Sequence, residues 1–189
     1  MIYRKTCTYV STAQAALKED MRFVWLQHVY WTRMLLISIA HKLKDQAEVT
    51  ERLLQNPGDI ADVFAQYYTA DTANEIERLL TEHLQIGAEL ITALRDGENE
   101  TAAELDRKWY KNADEMAAAF SSINPHWSFS DLQEMLYRHL ELTTIEVSQR
   151  LAGHYADDIE AFGEVEQEAL AMADMFTLGI FEQFPCKFN

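Results

Sequence analysis

Apolar residues recur at three- and four-residue intervals along nearly the whole chain, the spacing that turns one face of an α-helix toward a core. Side-chain acceptors precede several of these runs, with an acid or amide three residues later: Ser11…Gln14, Asp45…Glu48, Thr72…Glu75, Thr101…Glu104 and Ser130…Gln133. Each reads as a capping box at a helix start. Stops read at Asn56-Pro57-Gly58, Asp96-Gly97, Asn124-Pro125 and Ala152-Gly153, where glycine or proline cannot continue the helix cheaply. The pattern predicts helices over 12–44, 46–55, 59–68, 72–95, 101–122, 130–152 and 155–184. Short connections make sequential helices antiparallel neighbours. The expected fold is all-α: one domain over 1–189, an antiparallel bundle of five long helices with short connecting ones, after a short N-terminal extension over 1–11. The first long helix is apolar nearly all round, through Val24, Trp25, Trp31, Leu35, Leu36, Ile37 and Ile39, which predicts a central position.

Polar residues interrupt the apolar stripes at their centres. His28 stands seven residues from both Met21 and Leu35, and His83 seven from Ile76 and Leu90. His139 lies among Leu132, Met135, Leu136 and Leu142, with Thr143 and Glu146 on the same face; Asn112 lies among Leu105, Trp109, Met116 and Ala119. On the last helix Glu166 falls among Ile159, Phe162, Ala169, Leu170 and Ala173. The three histidines share a large-x-x-His-aliphatic pattern with a period of about 55 residues, one helix-pair unit, and small residues, Thr32, Gly87 and Thr143, follow each by four.

A buried polar group without a partner costs about 1–3 kcal/mol, and a buried lone carboxylate costs more or takes up a proton. Five such groups on five helices are therefore expected to meet. Three imidazoles and a carboxylate suit iron, zinc, manganese, nickel or copper, so the expected ligands of a single divalent transition metal ion are His28, His83, His139 and Glu166. Thr32, Thr143, Asn112 and Glu146 are the candidate partners behind those ligands, and Trp109 a candidate pocket wall. The competing reading is a non-catalytic structural or protein-interaction bundle in which the same residues close a hydrogen-bond network that fixes helix register. The two diverge on whether the three histidines lie at one depth, which periodicity alone does not decide. Neither reading settles whether the chain is an enzyme or which small molecule it would take.

Other pairs read as structural. His154 and Asp158 are expected to make a surface contact, His41 and His126 to be exposed near helix ends, and Glu146 with Arg150 to form an i, i+4 ion pair. Glu-x-x-His pairs of ferritin-like proteins and the His-x-x-x-Glu or His-x-x-x-His pairs of hemerythrin-like proteins are absent around His28, His83 and His139, so a mononuclear centre is expected over a binuclear one. No phosphate-loop, dinucleotide, nucleophile-elbow or HExxH signature occurs.

Composition narrows the partners. Thirty-one acids against 16 Lys and Arg give a net charge of −15, which excludes a phosphate-tracking nucleic-acid protein and disfavours an anionic membrane surface. Solvated acidic helix faces explain the charge; they leave room for a basic partner or a homodimer. The most apolar stretch, Met34 to Ala40, is too short to span a bilayer. Cys7 and Cys186 have no CxxC spacing, and the start Met1-Ile2-Tyr3-Arg4-Lys5-Thr6 lacks the apolar run of a signal peptide; a cytoplasmic location is expected.

The segments 25–33, from Trp25 through His28 to Arg33, 81–84 around His83, 109–115 from Trp109 through Asn112, and 171–175 around Ala173 resemble an uncharacterised family of small bacterial all-helical proteins. Some members carry the label acetylglutamate kinase. The chain lacks that enzyme's glycine-rich strand–loop–helix and any strand–helix alternation, so the label is a misassignment. The resemblance implies the helical fold and singles out His28, His83, Asn112 and His139, without implying an activity.

Overall fold

Among the described residues seven α-helices form where the apolar periodicity predicts them, but their caps are chosen by local competition. The computed structural model describes residues 10–188; Cys7 and nearly all of the expected extension lie outside the described residues. The helices are α1 (Thr12–His41), α2 (Gln46–Leu53), α3 (Asn56–Ala65), α4 (Ala70–Asp96), α5 (Asn99–Ile123), α6 (Phe129–Ala152) and α7 (Tyr155–Gln183), with a 3₁₀ turn at Pro185–Lys187. No strand is present among the described residues.

Ser11 caps α1 with both halves of its box in place: it accepts from the Gln14 amide while Gln14 Oε1 accepts from the Ser11 amide. The other boxes are corrected. Thr69 rather than Thr72 caps α4, and Ser128 rather than Ser130 caps α6. Two candidate hydroxyls within one turn leave the pattern ambiguous, and the earlier one wins in both cases. Helix α5 starts at Asn99 with no side-chain cap; Asp45 does hold the N-cap position of α2, but its carboxylate accepts from the Ser38 hydroxyl and makes no capping bond.

A second correction concerns Asn56-Pro57-Gly58, which begins α3 rather than ending a helix. Leu54 and Gln55 keep right-handed helical dihedrals, so α2 and α3 are two halves of one interrupted helix. Pro57 has no N–H to offer the preceding turn, which accounts for the break.

The bundle is three helical hairpins in cyclic order. Within a hairpin, α1 packs on α2 and α3, α4 on α5, and α6 on α7; between hairpins, α3 packs on α4, α5 on α6, and α7 back on α1. Helix α1 also touches α4 and α6, the central position its all-round apolarity predicts. The first helix of each hairpin ends the same way, on a left-handed residue: Lys42 (φ 51°), Gly97 (φ 74°) and Gly153 (φ 79°). Glycine suits the second and third positions because a Cβ is strained there.

Equivalent residues stack in layers. Met21, Ile76 and Leu132 are buried seven residues before the respective histidines, and Trp25, Leu80 and Leu136 three before them. On the second helices Phe64, Phe120 and Phe176 stand one repeat of 56 residues apart and meet in the core, with ring centroids 5.5, 5.6 and 4.6 Å apart. Trp25 stacks on Phe176 at 5.5 Å. This aromatic plug rigidly closes one end of the bundle beneath the histidine layer.

Candidate metal centre

His28, His83 and His139 each stand thirteen residues before the last residue of their helix, His41, Asp96 and Ala152. At a rise of about 1.5 Å per residue this puts all three roughly 20 Å from equivalent helix ends, and they do lie at one depth. Their ring centroids form a near-equilateral triangle with sides of 6.0, 6.1 and 6.1 Å. All three are buried, at 2%, 3% and 6% exposure.

Each ring is held from behind by a residue 28 or 29 positions later. His28 Nδ1 lies 3.0 Å from Asn56 Oδ1, His83 Nδ1 3.2 Å from Asn112 Oδ1, and His139 Nδ1 3.0 Å from Glu168 Oε2. The asparagine amides are oriented by their other ends. Asn56 Nδ2 donates to the Val24 carbonyl at 2.9 Å and Asn112 Nδ2 to the Leu79 carbonyl at 3.1 Å, one turn before His28 and His83. Their oxygens therefore face the rings, and Nδ1 must be the protonated nitrogen that donates. The Glu168 carboxylate imposes the same tautomer on His139.

The backbone of each histidine is matched too. Thr32 Oγ1 donates to the His28 carbonyl at 2.8 Å, Thr143 Oγ1 to the His139 carbonyl at 2.8 Å, and Trp109 Nε1 to the His83 carbonyl at 3.1 Å. Gly87 occupies the position of the threonines on α4, and the Trp109 indole supplies the missing donor while stacking on His83 with centroids 5.2 Å apart.

With Nδ1 engaged, the nitrogens left for the centre are the three Nε2. One nitrogen from each ring lies within 4.8 Å of the other two. Nitrogens bound tetrahedrally at about 2.1 Å stand about 3.4 Å apart, so the rings need to close by less than about 1 Å each to grip one ion. They border a cavity of about 20 Å³, enough for one water-sized occupant. Burial drives the basicity of His28 and His83 down. The His28 pKa falls from 6.5 to about 4 because desolvation, aided by repulsion from His139, outweighs the Asn56 hydrogen bond. The His83 pKa falls well below 6.5 for the same leading reason, with His28 and His139 adding to it. Both rings are neutral acceptors at pH 7.

Of the residues expected from sequence, His28, His83, His139, Asn112, Thr32, Thr143 and Trp109 come together. Glu166 does not: it sits on the outer side of α7, where it accepts from the Tyr30 hydroxyl. The expected stripe on α7 was phased by Ile159 and Phe162, yet Ile159 is 63% exposed. Val165, Ala169, Met172 and Phe176 mark the inward face, and they bring in Glu168, about 200° round the helix from Glu166. Among the described residues the second Glu168 oxygen, Oε1, is buried without a partner. Glu146 also lies apart. It accepts from Arg33 Nη1 at 2.5 Å rather than pairing with Arg150, and Arg150 reaches Asp158 Oδ2 at 2.7 Å. Asp158 is fully buried between Arg33 and Arg150, not in a surface contact with His154, which faces Gln149. Asn56 and Glu168 were missed, although the repeat holds their signal: 56, 112 and 168 are equivalent positions.

No protein-family model, curated protein or solved structure matches the chain. The centre therefore has to be interpreted from its own geometry.

Proposed function

We propose that the chain binds one divalent transition metal ion, iron, zinc, manganese, nickel or copper, through the Nε2 atoms of His28, His83 and His139. The observation that carries this reading is the convergence of three tautomer-fixed lone pairs on a space the size of one atom. Among the described residues no side chain donates a hydrogen bond to any of the three, since each Nδ1 is turned outward and each threonine hydroxyl is spent on a carbonyl. A water molecule there brings two protons for three acceptors and leaves one unmet, at about 1–3 kcal/mol. A cation satisfies all three at once.

Imidazole donors suit each of these metals, and an outward hydrogen bond from each ligating histidine is the support such ligands receive. Asn56, Asn112 and Glu168 provide it, the last adding one negative charge beside a cationic centre. Three protein ligands leave a coordination position free, as catalytic and sensing sites do and closed structural sites do not. The ion would supply Lewis acidity to whatever occupies that position.

The test is elemental analysis of the purified protein with titration of the metal-stripped form. One metal per chain is expected, with the stoichiometry collapsing in His83→Ala. A stripped wild type that takes up no iron, zinc, manganese, nickel or copper would overturn the reading and leave a structural network as the account of the buried histidines.

A further inference from the structure

The walls of the cavity differ sharply between its two sides. On one side stand the histidines themselves with Thr32, Thr143 and Trp109. Away from them it is bounded by Leu35, Leu53, Leu84, Ala88 and Ile91, with no charged side chain on the lining. Three helices supply these apolar residues, α1, α2 and α4, and they do so where the threefold pattern is broken. Here the second helix of the first hairpin is interrupted, and α2 contributes Leu53 as its one buried residue.

Just outside lies a groove of about 500 Å³ between α2, α4 and α5. Ala88, half-buried on α4, lines both the groove and the cavity, and so is the residue at which the two spaces approach one another. Gln46 and Thr50 of α2 form one bank of the groove. Its rim carries Glu89, Glu98 and Glu104 against Lys108, and Lys108 is already paired with Glu104 at 2.7 Å. The rim is thus net acidic in a chain of net charge −15.

We infer that the free position of the centre takes a ligand of only a few heavy atoms, uncharged as it enters, that arrives through the seam between α2 and α4 over Ala88. This inference rests on the metal reading above. Size follows from the cavity, which holds one water-sized body before neighbouring side chains must move. Charge follows from the route: an acidic rim repels anions at long range, and an apolar passage strips the hydration of any ion without replacing it.

The experiment loads the protein anaerobically with Fe(II), confirms one iron per chain, and follows association of nitric oxide by stopped-flow absorbance. Ala88→Trp, which fills the seam, is expected to slow association by about tenfold or more. Leu53→Ala, which widens it from the opposite bank, is expected to speed association with the iron content unchanged. Azide is expected to associate more slowly than nitric oxide and to gain rate with added salt as the rim is screened. Wild-type nitric oxide rates in both variants would overturn the inference while leaving the metal centre standing. Failure of the wild type to hold iron or any of the other four metals would instead remove the metal reading on which it rests.

Discussion

Two polar islands sit inside this bundle, and they solve the problem of burial in opposite ways. The Arg33, Glu146, Arg150 and Asp158 group sets two guanidinium groups against two carboxyl groups and closes its contacts inward. Arg33 Nη1 reaches both Glu146, at 2.5 Å, and Asp158, at 2.9 Å, and Arg150 takes the other Asp158 oxygen at 2.7 Å. The histidine centre turns its hydrogen bonds outward, leaving one nitrogen of each ring facing the other two. The charged groups of the first island pair with one another. The histidine centre instead turns one nitrogen of each ring toward an atom-sized space, an arrangement that suits something the chain does not itself supply.

Removing the centre of the charge island has the largest expected effect. Asp158→Ala leaves Arg33 and Arg150 without their shared partner, and losing one member of a buried ion pair costs about 3–5 kcal/mol. Urea denaturation should show a fall of that size, with metal stoichiometry still at one per chain. Loss of metal together with stability would mean that the islands act as one unit. His83→Ala should give the reverse pattern, in which the metal is lost while the metal-free protein loses less stability than Asp158→Ala does.

Asn112→Leu tests the outward supports. It removes the acceptor for His83 Nδ1 and frees that ring to rotate or change tautomer. Substituting such a partner typically weakens metal affinity by about 10–100-fold. Competition titration against a chelator of known affinity measures it; unchanged affinity would show that packing against Trp109 alone orients His83.

Much of this was legible before any coordinates. The stripes around His28, His83 and His139 announced three inward rings because their apolar neighbours at seven-residue spacing are all buried. Asn112 was legible for the same reason. Glu168 was not, because Ile159 looks like a core residue on a helix wheel yet is exposed, while Phe162 is only half-buried at the edge of the core, and phasing on the two rotates the inward face onto Glu166. Asn56 was hidden by its neighbours: Asn-Pro-Gly has the composition of a turn, and only the repeat marks the asparagine as the counterpart of Asn112. That the histidines share one depth is a property of three helix registers in space, which the approximate 55-residue spacing suggested and the thirteen-residue distance to each helix end secures.

The smallest expected effect concerns Glu146, whose carboxyl is pushed up from 4.5 to about 7 because burial outweighs the attraction of Arg33. The groups facing it are Arg33 from α1, Asp158 from α7 and Arg150 from its own helix. Between pH 4.5 and about 7 the folded protein retains a proton at Glu146 that the unfolded chain has released. The contribution of this group is therefore fully present below pH 4.5 and is lost as pH rises to about 7. Glu146→Gln keeps the shape of the protonated side chain and cannot titrate. Relative to wild type the variant should therefore gain stability as pH rises through that window, with a slope below about 1.4 kcal/mol per pH unit for one proton. Denaturation midpoints of both proteins at pH 5, 6 and 8, in the metal-stripped form, measure the difference. Parallel pH profiles would show that Arg33 and Arg150 hold Glu146 ionised throughout. The charge island would then be three fixed ion bridges, from Arg33 to Glu146 and Asp158 and from Arg150 to Asp158.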